Sequence, residues 1–321
     1  MKRFTICCLL LLGMISASRV SAQQLFRRTQ FPINTYMINP AAAGTESYTP
    51  IYASYRNQWA GFNGAPVTYT LSGHTGLRNN FGVGGMFFSD KTGGAVSRTG
   101  AEFTGSYSID LNNYDAVSFG LSAVLSQFSF DNSKLVVYDQ TDQALNGFQA
   151  ENNFNFDANF GFLVYGPQYY FGFSVPQLIQ TKLGLESLVD EGSNRNARHF
   201  LIMGSYKYLI DDYWDIQGSG LIKFTSVTPV QMDINIKGNY MDRVWGGLTF
   251  RPKDAIAVLI GGQYMGFTLN YSYDITTSNA AAFSPHTHEL TLGYLIPRKK
   301  GRFVNKSLLG PKILDRGRII K

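Results

Sequence analysis

The sequence lacks the cysteines and long apolar runs on which several classes of protein depend. Its two cysteines, Cys7 and Cys8, both lie within the first 22 residues. A chain cleaved after residue 22 therefore has no disulfide and no cysteine nucleophile. No apolar run approaches the roughly 20 residues that a transmembrane helix needs, and charged residues make up only 16% of the chain.

The motifs of common catalytic sites are also missing. The sequence has no G-x-S-x-G elbow, no P-loop and no H-E-x-x-H. His286 and His288 form an H-x-H pair on a predicted strand, but two histidines are too few ligands for a zinc site. We therefore expect a protein that is not an enzyme and holds neither a metal nor a cofactor.

Residues 1–22 have the pattern of a secretory signal peptide. Lys2 and Arg3 precede a short apolar stretch from Ile6 to Ile15, and small residues occupy positions 20–22. This order of basic, apolar and small residues is what signal peptidase recognises. We predict cleavage after Ala22.

The formal charge of +6 is unevenly distributed. The signal carries +3 and the tail, residues 298–321, carries +8, so the body between them has a net charge of −5. Because the basic character is confined to the tail, the sequence does not indicate a nucleic-acid partner. The tail is interpreted either as a periplasmic arm that docks on an acidic partner or an anionic headgroup surface, or as a solvated extension.

From residue 49 to residue 296 the chain alternates apolar with small or polar residues in segments of about ten residues. Successive side chains of a strand point to opposite faces, so alternation predicts one apolar and one wet face. The pattern predicts an all-β protein, a 14-stranded antiparallel transmembrane β-barrel of the outer membrane at residues 49–297. The predicted strands are 49–60, 66–77, 80–90, 98–109, 116–128, 154–165, 168–175, 198–210, 213–224, 229–240, 242–250, 255–264, 266–274 and 286–296.

The lengths of the predicted connections also alternate. Very short connections such as 78–79 and 166–167 alternate with longer ones such as 129–153 and 176–197. Outer-membrane barrels have short periplasmic turns and longer outside loops. An even number of strands places both ends of the barrel on the side of the short turns, so we expect both termini in the periplasm.

The phase of the alternation assigns the faces. Met232, Ile234 and Ile236 are expected to face lipid. Charged residues at the opposite phase are expected to face the lumen, because a charge at mid-bilayer costs a few kcal/mol. These are Glu102, Asp157, Asp233 and Lys237.

Two motifs give the chain a family resemblance. The first is YMINPAAAG at residues 36–44, and the second is RNQWAGF at 56–62, followed by GAP at 64–66. Together they resemble the PorP/SprF family of type IX secretion system membrane proteins of Bacteroidetes. The step VPQL at 175–178 extends the resemblance, whereas the long tail after Ile296 departs from it. The candidate site residues are those of the motifs: Asn39, Pro40, Gly44, Arg56, Gln58, Trp59, Gly61, Phe62, Gly64 and Pro66.

The resemblance implies a role in the type IX secretion system. It implies export or surface anchoring of a large secreted cargo with a C-terminal signal domain, such as a gliding-motility adhesin. It also implies contact with periplasmic lipoproteins or peptidoglycan-linked components, and with outer-membrane lipid. The alternative is a porin-like diffusion channel for small solutes.

The segment before the first strand, residues 23–48, is interpreted as a periplasmic or plug-like element. Arg56 and Gln58 share one face of the first predicted strand, so both are expected to point into the lumen. Their hydrogen bonds would then hold this segment. Either the motif residues serve barrel closure alone, or they also contact a partner.

Overall fold

The computed structural model describes residues 28–61, 63–131, 151–181, 196–225, 228–282 and 286–298. Within these residues the structure contains fourteen strands and three short 3-10 helices, Thr35–Met37, Pro40–Ala42 and Asn279–Ala282. No helix of the described part is long and apolar enough to cross a membrane. The strands are β1 Tyr48–Asn57, β2 Val67–Gly76, β3 Phe81–Thr92, β4 Val96–Asp110, β5 Ala116–Phe130, β6 Glu151–Tyr165, β7 Tyr169–Val175, β8 His199–Leu209, β9 Trp214–Thr225, β10 Gln231–Tyr240, β11 Val244–Arg251, β12 Ala255–Tyr264, β13 Phe267–Thr276 and β14 His286–Pro297.

The strands form one closed antiparallel barrel. Each strand pairs with its neighbours in sequence, and β1 pairs with β14 from Tyr48 opposite Pro297 to Asn57 opposite His288. Among the described strands, this pairing leaves no free sheet edge of the kind that favours aggregation. The predicted 14-stranded barrel is therefore confirmed.

The two ends of the barrel differ in their connections. One end, here called the turn end, carries the connections 77–80, 111–115, 166–168, 210–213, 241–243 and 265–266. Met241 and Asp242 both have positive φ, as a tight hairpin turn of the primed type requires. The opposite end, here called the loop end, carries the connections 131–150 and 176–198. Most of those two connections lies outside the described residues.

The wall presents its apolar face outward and its polar face inward. On β10, Ile236 is 61% exposed, whereas Asp233 and Lys237 are buried. Glu102 and Asp157 are also buried in the lumen, so the predicted faces are confirmed. An exposed apolar belt around a polar interior is the arrangement of a barrel whose outer solvent is lipid.

Residues 28–47 lie inside the barrel and are here called the luminal segment. Asn39, Ala41 and Ala42 are at most 1% exposed. Phe31 and Tyr36 of this segment pack in one apolar cluster with wall residues such as Leu163 and Met203. The predicted signal peptide, residues 23–27 and residues 299–321 lie outside the described part of the chain.

Candidate functional site

The first motif forms the turn at the centre of the luminal segment. Asn39 precedes the 3-10 helix Pro40–Ala42, and its Oδ1 accepts the N–H of Ala41 at 2.9 Å. The Nδ2 of Asn39 donates to the carbonyl oxygen of Phe162 on β6 at 3.0 Å. Pro40 lacks an N–H and fixes φ, which suits the first position of a helix. One buried amide therefore caps the turn and attaches it to the wall.

Gly44 ends the motif at a close approach to two strands. Its φ is +75°, which an L side chain rarely adopts. A Cβ there would lie 2.8 Å from the Cα of Gly82 and 2.9 Å from the Cα of Gly76. The N–H of Gly44 donates to His74 Nδ1 at 3.1 Å. Both conformation and space thus require glycine at this position.

The strands of the wall that face the motif carry glycines where they contact it. A Cβ at Gly84 would lie 2.7 Å from the Tyr36 ring, and one at Gly172 would lie 2.9 Å from the Asn39 amide nitrogen. Cβ atoms at Gly120 and Gly161 would collide with the backbone or side chains of residues 39–41. On β3, Gly82 and Gly84 have Ala43 and Tyr36 of the luminal segment as their neighbours. Missing side chains on the wall create the space in which the segment lies.

Polar side chains of the wall form hydrogen bonds with several polar groups of the luminal segment. Asn34 Nδ2 donates to Ser72 Oγ at 2.9 Å, and Tyr36 Oη lies 2.8 Å from Thr104 Oγ1. Ser106 Oγ donates to the carbonyl oxygen of Ala43 at 2.7 Å. These bonds compensate the desolvation of buried polar atoms, which otherwise costs about 1–3 kcal/mol each.

Arg56 of the second motif is the centre of a buried ion-pair network. Its Nη1 lies 2.7 Å from Glu289 Oε2, and its Nη2 lies 3.1 Å from Asp274 Oδ2. Arg251 joins the network at 2.8 Å from Asp274 and 3.3 Å from Asp233. Since all these side chains are at most 6% exposed, each charge depends on its partners for compensation.

Thr29 connects this network to the luminal segment. Its N–H donates to Glu289 Oε2 at 2.9 Å, and its hydroxyl donates to Asp274 Oδ2 at 2.7 Å. Arg56 Nη1 donates to the Thr29 hydroxyl at 2.9 Å. These wall residues lie within three residues of the loop ends of their strands. The luminal segment therefore begins near the loop end and runs to Tyr48 at the turn end.

The rest of the second motif builds the connection between β1 and β2. The strand ends at Asn57, so Gln58 and Trp59 belong to the loop, not to the strand predicted to reach residue 60. The N–H of Gln58 donates to the carbonyl oxygen of Pro66 at 2.9 Å, and that of Trp59 donates to Thr287 Oγ1 at 3.0 Å.

Positive φ angles explain why β1 stops early. Trp59, Gly61 and Gly64 have φ of 58°, 94° and 80°, which an extended strand does not accommodate. The prediction that Gln58 and Arg56 share one face of β1 is therefore wrong. Phe62 lies outside the described residues.

Sequence reasoning missed Thr29, Arg251, Asp274 and Glu289. A signal for Asp274 and Glu289 was present, because both lie at lumen-facing phase on the last two strands. Closure of β14 on β1 then places Glu289 directly opposite Arg56. No comparable periodic signal marks Thr29, which precedes the first strand.

Two cavities adjoin the luminal segment. The turn-end cavity, of about 50 Å³, is lined by residues that include Thr35, Glu46, Lys207, Gln217 and Lys237. Burial raises the pKa of Glu46 to about 8. The loop-end cavity, of about 100 Å³, is lined by residues that include Arg28, Met37, Glu102, Asp157 and Leu221. Both contain charged groups, but neither crosses the barrel.

The histidine pair lies on the outer surface near the loop end. His288 Nδ1 is 2.7 Å from Tyr271 Oη, and His286 Nδ1 is hydrogen-bonded to Tyr273 Oη. Among the described residues, no group of three or more histidine, cysteine or acidic side chains has the geometry of a metal site. Each histidine of the pair is thus hydrogen-bonded to a tyrosine side chain.

Comparisons with known proteins give one match to a family. The family model described as type IX secretion system membrane protein PorP/SprF matches residues 20–294. No curated protein matches the chain.

Several solved barrels are similar to the chain at low sequence identity. A Pseudomonas aeruginosa FadL homologue is 11% identical, with 81% of this chain and 92% of that one covered and a TM-score of 0.48. The Acinetobacter baumannii outer membrane protein Omp33 is 8% identical, with coverages of 79% and 100% and a TM-score of 0.43. KdgM porin is 10% identical, with coverages of 76% and 98% and a TM-score of 0.36.

Proposed function

The chain belongs to the PorP/SprF family of type IX secretion system membrane proteins, and we propose that it is a closed, non-enzymatic outer-membrane partner of one large secreted cargo. In this role the barrel supports export of the cargo, its retention at the cell surface, or both. A gliding-motility adhesin with a C-terminal signal domain is the type of cargo we favour. Family membership supports a role in the type IX secretion system, and the barrel fold supports a location in the outer membrane.

The observation that carries this proposal is the occupied lumen. Residues 28–47 pack against glycines of five strands and bond to a buried ion-pair network. A diffusion channel requires a continuous aqueous path, whereas the two cavities here are small and share no lining residue. Side chains of the luminal segment also pack with the wall in one apolar cluster. We propose that the luminal segment works as a plug, so the porin-like alternative is disfavoured.

We propose that the turn end faces the periplasm and the loop end faces outward. Short turns on the periplasmic side are general in outer-membrane barrels. The C-terminal tail then begins in the periplasm, where Arg298 Nη1 donates to the carbonyl oxygen of Glu46 at 3.1 Å. The position of Thr29 favours the outer side for the start of the luminal segment, in contrast to the periplasmic N-terminus expected from the even strand count.

Partner contacts are divided between the two ends in this proposal. The long connections of the loop end are the surface for the cargo. The turn end and the basic tail are the surface for periplasmic lipoproteins or peptidoglycan-linked components, because eight net positive charges complement acidic partners.

Purification in mild detergent tests the proposal. We expect the full chain to copurify with one large secreted protein and to show no conductance in planar bilayers. A lone barrel that conducts ions would contradict both statements. Deletion of residues 299–321, which keeps Arg298, is expected to release periplasmic partners and retain the cargo. Unchanged recovery of all partners would remove the docking role of the tail.

A further inference from the structure

The two lysines that line the turn-end cavity have different surroundings. Lys207 Nζ lies 3.4 Å from Asp242 Oδ1 and 3.7 Å from Asp215 Oδ2. Lys237 is only 8% exposed, yet within the described part of the chain its ammonium group has no hydrogen bond and no carboxylate within 4 Å. Its Nζ lies over the ring of Trp245, 5.8 Å from the centroid. Because a buried charge without a direct partner costs free energy, the cavity presents an ammonium group that a bound anion would neutralise.

The lining of this cavity is both polar and apolar. Thr268 Oγ1 accepts a hydrogen bond from Asn270 Nδ2 at 3.0 Å, which leaves the Thr268 hydroxyl proton for another acceptor. Ile33 and Leu295 also line the cavity and pack in one apolar cluster. The cavity therefore combines hydrogen-bond donors with an apolar surface, as an anion that carries a hydrocarbon group requires. Each strand from β8 to β13 contributes to this lining, in order Lys207, Gln217, Lys237, Trp245, Gln263 and Thr268.

Size and charge limit the anion that fits this cavity. Its volume is about 50 Å³. A water-sized group needs about 10–15 Å³ by this measure, so roughly four non-hydrogen atoms fill the space. Asp215 and Asp242, which pair with Lys207, repel a second negative charge on the ligand. Glu46 adds little charge at pH 7, because burial raises the pKa of this lining residue to about 8. A monoanion of the size of acetate meets both limits.

We propose that the turn-end cavity binds a short-chain carboxylate of the size of acetate, and that Lys237 is the cation that pairs with it. The Thr268 hydroxyl donates to the same anion, while Ile33 and Leu295 pack against its hydrocarbon end. The site is independent of the proposed cargo role, since its residues lie toward the turn end and the surface assigned to the cargo is at the loop end.

Titration of the full mature chain with acetate, in a nonionic detergent at pH 7, tests the site. Trp245 lies beside Lys237, so its fluorescence reports neutralisation of the ammonium group. The parent is expected to show a saturable change as sodium acetate replaces sodium chloride at constant ionic strength. Lys237→Met keeps an unbranched side chain but removes its charge, and it is expected to weaken acetate binding by about tenfold or more.

Lys91→Met is the matched control, because Lys91 is exposed near the loop end of β3. This control is expected to bind acetate with the parent affinity. Loss of a buried charge removes its desolvation cost, so the Lys237→Met barrel is expected to fold. Equal acetate affinity in Lys237→Met and the parent, or no saturable change in the parent, would overturn the proposal.

A comparison of anions on the parent chain requires no variant. Sulfate is a dianion without a hydrocarbon group, so it is expected to bind at least about tenfold more weakly than acetate at the same ionic strength. Sulfate binding as tight as that of acetate would overturn the assignment to a carboxylate.

Discussion

Arg56 of β1 and Glu289 of β14 face each other across the strand pair that closes the barrel, with 2.7 Å between Nη1 and Oε2. Both side chains also bond to Thr29 of the luminal segment. One ion pair therefore joins barrel closure to occupation of the lumen. This link gives the arginine of the second motif a structural role that includes the first residues of the luminal segment.

Replacement of Arg56 by glutamine is expected to destabilise the barrel by about 3–5 kcal/mol, because Asp274 and Glu289 lose a buried counter-charge. Denaturant unfolding in detergent or lipid measures the change. Arg78→Gln is the control, since Arg78 lies exposed in a connection at the turn end. The control is expected to stay within about 0.5 kcal/mol of the parent. Equal stability of both variants would contradict the role of Arg56.

Replacement of Gly84 by alanine is expected to displace the luminal segment, because the new Cβ would lie 2.7 Å from the Tyr36 ring. Overpacking of this kind costs about 1–3 kcal/mol. Limited proteolysis within residues 28–47 measures the displacement. At Gly105 a Cβ meets no atom within 4 Å, so Gly105→Ala serves as the control. Increased cleavage in both variants would show that the effect is not specific to the glycine wall.

Glu46 is expected to make stability depend on pH. Burial raises the pKa of this carboxyl to about 8, above its value of about 4.3 in an unfolded chain. The folded state therefore binds more protons than the unfolded state between these values, and stability falls as pH rises through this window. Glu46→Gln is expected to flatten the pH profile of the unfolding free energy. An unaltered profile in Glu46→Gln would assign the dependence to other groups.

An epitope inserted after Ala22 is expected to be reached by antibody on intact cells. Residues 23–28 span at most about 20 Å, and Thr29 lies near the loop end. A matched variant carries the same epitope after Lys321, where antibody is expected to reach it only after permeabilisation. Protection of the N-terminal epitope on intact cells would place that terminus on the periplasmic side.

The sequence by itself determined the wall of this protein. Strand alternation is a local property with a period of two, so it located all fourteen strands to within three residues and assigned faces such as those of Asp233 and Ile236. The predicted boundary was wrong where a local conformation interrupts the pattern, as at Trp59, whose positive φ ends β1 before the predicted boundary. Neither the glycines of the wall nor Asn39 revealed their mutual contact, since a missing side chain leaves no periodic signal.

Only the tertiary structure decided what the lumen contains. Arg56 and Glu289 are 233 residues apart in sequence, and Thr29 and Asp274 are 245 apart. They meet because barrel closure brings the first and last strands together and because the luminal segment passes back through the interior. Such contacts depend on the closed shape of the sheet and are therefore not encoded in any local stretch of residues.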